Sequence, residues 1–110
     1  MPSTPQEVFD AMPKAFLPLK AGAAELVIGF NLSGDQGGTW AVEIKDGVCQ
    51  TRRAEPANPV ATIRTSDQDF MALFSGQLNA VAAYMSGRVK VDGNVTAIMN
   101  LLSYFDMRPV

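Results

Sequence analysis

Two spacings of apolar residues divide the chain. Val8, Phe9, Met12, Phe16 and Leu19 recur at the interval of one helix face, whereas Leu26, Ile28, Phe30 and Leu32 alternate strictly with Val27, Gly29, Asn31 and Ser33. The first stretch opens on Thr4-Pro5-Gln6-Glu7, which combines a capping hydroxyl, a proline suited to the first helical position and a carboxylate three residues after the cap. A helix is therefore predicted over Pro5 to Leu17. Pro13 and Pro18 each lack an amide donor and are expected to kink or break it. The second stretch predicts a strand with one greasy face.

After the turn-rich Gly34-Asp35-Gln36-Gly37-Gly38, Trp40, Val42 and Ile44 continue the alternation on a second strand. Asp46-Gly47 tolerates the positive φ of a tight hairpin, so Val48 to Ala54 is expected to return antiparallel, with Arg52-Arg53 at an exposed or edge position. Pro56 and Pro59 punctuate a loop before the β-branched Val60 to Thr65. These four strands read as an antiparallel meander.

Ser66-Asp67-Gln68-Asp69 has cap chemistry and opens a helix carrying Phe70, Met71, Leu73, Phe74 and Leu78, interrupted at Gly76. Asn79 caps a second short helix, Ala80 to Met85, which Gly87 stops. Arg88 to Asp92 alternates again as a fifth strand. Gly93-Asn94 then turns into a final helix with Val95, Ile98, Leu101, Leu102 and Phe105 on its apolar face and Met99 and Tyr104 on its flanks. The order α-ββββ-αα-β-α predicts an α+β fold: a five-stranded, largely antiparallel sheet with helices packed on one face.

Composition narrows what such a fold can do. The 110 residues suit one domain spanning 1–110, and 47% hydrophobic against 18% charged residues favours an ordered globule. A net charge of −2 provides no basic stripe for phosphates, which argues against nucleic acid as a partner. No apolar run is long enough to span a bilayer, and Met1 to Leu19 lacks the pattern of a signal peptide, so a soluble cytoplasmic protein is expected. The chain has no histidine and one cysteine, which removes Ser-His-Asp and Cys/His catalysis and the common zinc sites. No cofactor or metal is expected, and Cys49 reads as a small buried hydrophobe.

Taken in order, Gly37-Gly38-Thr39-Trp40, Asp46-Gly47, Ser66-Asp67-Gln68-Asp69-Phe70, Ser75-Gly76-Gln77-Leu78 and Gly87-Arg88-Val89-Lys90-Val91-Asp92-Gly93-Asn94 resemble the sterol carrier protein type 2 domain over about Ala23 to Phe105. Order and spacing carry the resemblance, since each motif alone is common. It implies a hydrophobic tunnel between sheet and helices for a fatty acid, fatty acyl-coenzyme A, phospholipid, isoprenoid or sterol. The implied function is lipid transfer or presentation without catalysis, as a small stand-alone form or beside a larger enzyme. The ending Met107-Arg108-Pro109-Val110 differs from the Ser-Lys-Leu-type address of peroxisomal members.

A lipid site needs apolar area rather than directional contacts. The candidate lining is Phe30, Trp40 and Val42 on the sheet, Phe70, Phe74, Leu78, Tyr84 and Met85 on the middle helices, and Ile98, Leu101, Leu102 and Phe105 on the last. The same spacing also suits a filled core. Lys90, Arg88 and Arg64 are candidates for holding an anionic head group, and Arg52-Arg53 for a transient membrane contact. Two other readings stand beside carriage. One is a steroid-type isomerase in which Asp67, Asp69, Asp92 or Asp106 acts with Tyr84 or Tyr104. The other is a homodimer or partner-enzyme interface on the last helix, widened by Met99 and Tyr104.

Overall fold

In the computed structural model, which describes residues 4–105 apart from the side chains of residues 80 and 102, the Thr4 hydroxyl accepts the Glu7 amide at 3.3 Å and starts α1 (Pro5–Ala15). Pro13 does not end this helix. Its ring leaves the Phe9 carbonyl without the usual amide donor, and the Thr51 hydroxyl donates to that carbonyl at 3.0 Å. The helix ends at Ala15, short of the predicted Leu17, which precedes Pro18 and takes an extended conformation with φ −110° and ψ 90°. Phe16 is extended and bridges Phe105, and the Leu17 amide donates to the Tyr104 carbonyl at 2.7 Å. Pro18 then opens the short α2 (Pro18–Ala21).

The strands are β1 (Leu26–Ser33), β2 (Gly38–Lys45), β3 (Val48–Arg52), β4 (Ala61–Ser66) and β5 (Lys90–Gly93). Asp46 and Gly47 both take positive φ, 54° and 75°, giving the twist that joins β2 to β3 as a hairpin. The meander ends there. β4 does not pair with β3 but runs parallel to β1, and the sheet order is β3-β2-β1-β4-β5. Pro56 and Pro59, which cannot donate to a ladder, lie on the segment that leaves the sheet and crosses its outer face. Gly29 makes room for this crossing, since a side chain there would begin 3.2 Å from both the Pro56 ring and the Thr62 hydroxyl. The other pairings are antiparallel, so the sheet is mixed but mostly antiparallel.

Three more helices follow: α3 (Asp67–Ser75), capped by the Ser66 hydroxyl, α4 (Ala80–Met85), capped by Asn79, and α5 (Val95–Ser103), capped by Asn94. One ring ties the layers together. Phe9 of α1 stacks on Trp40 of β2 at 4.8 Å and on Phe70 of α3 at 5.1 Å, and meets Phe30 of β1 edge-on at 5.1 Å. Trp40 is satisfied at its polar atom, donating to the Gln6 amide oxygen at 3.1 Å, and Arg53 lies 5.0 Å above its ring.

Phe9 is wholly buried at this junction, so Phe9→Ala is expected to lower stability by about 3–5 kcal/mol, measured by urea unfolding. Cys49 is buried on β3 as expected, and burial raises its thiol from 9.0 to about 11. A neutral thiol favoured by the fold contributes stability that is complete below the unfolded value near 9.0 and is lost as pH rises towards about 11. Urea midpoints followed over that alkaline range should fall more in the wild type than in Cys49→Val.

Candidate functional site

Between the sheet and α3, α4 and α5 lies a cavity of about 390 Å³. That is well beyond the ~150 Å³ that admits one benzene ring and falls within the range of ligand pockets. Strand alternation supplies its floor: Phe30 on β1, Ile63 on β4, and Val91 on β5 with Val89 just before it. Helical spacing supplies its roof, from Phe70, Leu73 and Phe74 on α3, Val81 and Tyr84 on α4, and Val95, Ile98, Met99 and Leu101 on α5. Met12, Leu78 and Phe105 complete the lining.

Rings keep this space open. Phe70 is held by Phe9 and in turn carries Phe74 at 4.8 Å, which sets α3 off the sheet. At the other end Phe16 packs on Phe105 at 5.6 Å beside the Leu17–Tyr104 hydrogen bond. The lining contains no charged side chain, and Tyr84 carries its one hydroxyl.

Eight of the residues expected at the site line the cavity: Phe30, Phe70, Phe74, Leu78, Tyr84, Ile98, Leu101 and Phe105. Trp40 and Val42 do not. They are fully buried on β2, across β1 from β4, where α1 fills the space above them. Alternation assigns a side chain to a face of the sheet but not to the left or right half of that face. Met85 points away and is 80% exposed, and the Leu102 side chain lies outside the described residues. Sequence reasoning did not assign Met12, Ile63, Leu73, Val81, Val89, Val91, Val95 or Met99 to the site. Val89 and Val91 were accessible through the period of two on the fifth strand.

The polar candidates are placed elsewhere. Arg64 pairs with Asp92 at 2.7 Å, and both alternate with the lining residues Ile63 and Val91, so they occupy the outer face of the sheet. Lys90, opposite Arg64, alternates in the same way, and Arg88 precedes the inward Val89; none of these cations lines the cavity. Asp67 accepts the Gln36 amide at 2.9 Å, and Asp69 follows the Ser66 cap at the start of α3. Among the described residues, then, no carboxylate joins Tyr84 to supply the base of an isomerase; Asp106 lies outside them. Tyr104 is absent from the lining, and its carbonyl is engaged by Leu17.

The description of the SCP-2 sterol transfer family matches residues 10–106. Hydroxysteroid dehydrogenase-like protein 2 of Rattus norvegicus is 34% identical over 80 residues, covering 72% of this chain and 15% of that protein. Palmitated SCP2L2 of Aedes aegypti, solved by NMR in solution, superposes with a TM-score of 0.71 at 16% identity, over 91% of this chain and 92% of that one. The stereoselective inverting sec-alkylsulfatase Pisa1 from a Pseudomonas species superposes with a TM-score of 0.83 at 19% identity, over 94% of this chain but 16% of the enzyme. These two structural likenesses show a shared fold. The chain spans about 15% of the length of the rat relative, so domains of this kind also occur as segments of larger proteins.

Proposed function

This chain belongs to the SCP-2 sterol transfer family, and on that premise we propose that it encloses the apolar part of one lipid in its cavity and transfers or presents it without catalysis. The supporting observation is the cavity of about 390 Å³, walled by apolar side chains with a single hydroxyl. Such a space stabilises a hydrocarbon by removing its surface from water, worth about 25 cal/mol per Å². It provides nothing to hold a charge, so the polar end of a fatty acid, acyl-coenzyme A, phospholipid, isoprenoid or sterol rests at the opening, near Tyr84. Flexible Met12 and Met99 suit guests of differing shape.

A second reading is favoured by the short coverage of its relatives: the fold acts as a lipid-presenting segment beside a catalytic partner, since it matches only 15% of the rat protein and 16% of the alkylsulfatase. Both readings use the same cavity.

Organic extraction and native mass spectrometry of the purified chain are expected to reveal a bound amphiphile. Phe74→Asp sets a carboxylate in the apolar wall and should weaken uptake of a fluorescent fatty acid or sterol by at least about tenfold, with the circular dichroism of the sheet retained. A wild-type chain that yields no amphiphile and takes up neither probe at micromolar concentration would overturn the proposal.

A further inference from the structure

Charged residues make up 18% of the chain, yet none lies in Phe70 to Gly87 or in Gly93 to Phe105. These two stretches form the helical wall of the cavity, α3 beyond its first turn, α4 and α5. Exposed apolar side chains are concentrated on the same wall: Val81 (56% exposed), Tyr84 (47%), Met85 (80%), Val95 (40%) and Met99 (55%). All of these except Met85 also line the cavity, so apolar surface continues from the outside of the molecule into its interior. The other large exposed hydrophobics, Leu19, Val48 and Val60, are scattered on α2, β3 and the crossover.

We propose that the rim formed by α4 and α5 docks on a lipid bilayer, setting the cavity opening against the acyl region so that a guest passes between bilayer and cavity without entering bulk water. The proposal rests on the reading of the cavity as a lipid site. Among the described residues, the exposed large apolar side chains of this rim number five and are accompanied by small and uncharged polar residues of α4 and α5. A charge-free rim lacks the groups that steer and register a protein partner. It matches the uncharged interior of a membrane instead. Methionine adapts to a disordered surface, and the amphipathic Tyr84 ring suits the boundary between acyl chains and water.

Docking by apolar insertion differs from docking by a basic patch. Arg64 is paired with Asp92 on the outer face and Arg53 is engaged above Trp40, while the exposed Arg88 and Lys90 follow α4 but lie outside the charge-free stretches that form the rim. Membrane binding should therefore depend little on anionic lipid or on ionic strength.

Flotation of the full chain with phosphatidylcholine vesicles tests this, with and without phosphatidylserine, at about 50 and 500 mM salt. The chain is expected to float with both vesicle types and to change by less than about twofold with salt, whereas Met85→Asp combined with Met99→Asp should lower binding by about tenfold or more. Leu19→Asp, on a side chain equally open to water but away from the rim, should leave binding unchanged. Because Met85 lies outside the lining, Met85→Asp alone should retain uptake of a fluorescent sterol delivered from cyclodextrin while slowing its uptake from vesicles.

Three results would overturn the inference: no flotation, flotation that requires phosphatidylserine and disappears at high salt, or a dimer in sedimentation that Met85→Asp dissociates. A wild type that floats but takes up no sterol or fatty acid from any source would remove the lipid-site reading and leave the rim's membrane affinity standing.

Discussion

Phe9 is the side chain on which the two halves of the molecule depend. Stacked between Trp40 and Phe70 and set edge-on to Phe30, it fills the space above β2 and fixes how far α3 stands from the sheet. On one side of it the layers meet in a packed core. On the other, a cavity is left between α3, α4 and α5 and the strands β1, β4 and β5. Folded interiors are generally close-packed, and the aromatic stack at Phe9 marks where this one passes from filled to hollow.

The parallel pairing of β4 with β1 locates that hollow half. If β4 had continued beside β3, as alternation alone suggested, Ile63 would lie on the far side of α1. Instead the proline-bearing crossover carries it next to Phe30, and β5 adds Val91 beyond it. Local patterning therefore revealed the strands, the caps and the inward face, because each depends on neighbours a few residues away. Strand order depends on where a loop lands, and neither Pro56 nor Pro59 encodes that directly. For the same reason alternation puts Trp40 and Val42 on the inward face without revealing that they lie beneath α1 and not beside the cavity. The helical wall was more legible: most of its lining residues follow from helix period, and the charge-free run from Phe70 to Gly87 would have marked Val81 as well.

Electrostatics complement this division. The cations that a head-group site would use stand on the outer face of the sheet or on its edge, and Asp92 neutralises Arg64 there. The Asp67 carboxylate accepts the Gln68 amide at the start of α3 and the Gln36 amide in the β1–β2 turn. Polar chemistry thus surrounds the hollow half without entering it, and selectivity for a guest has to come from length, girth and the one hydroxyl of Tyr84.

The clasp of Phe16 and Leu17 with Tyr104 and Phe105 joins residues near opposite ends of the described chain. Contacts so distant in sequence form late, because most of the chain must be in place before they can close. On a ribosome, α1 and the first three strands emerge well before α5, so the packed half has its partners early while the hollow half waits for the C-terminal helix. Until then the inward surfaces of β1, β4 and α3 lack the cover that α5 supplies. The arrival of α5 is the step that turns an open greasy groove into an enclosure.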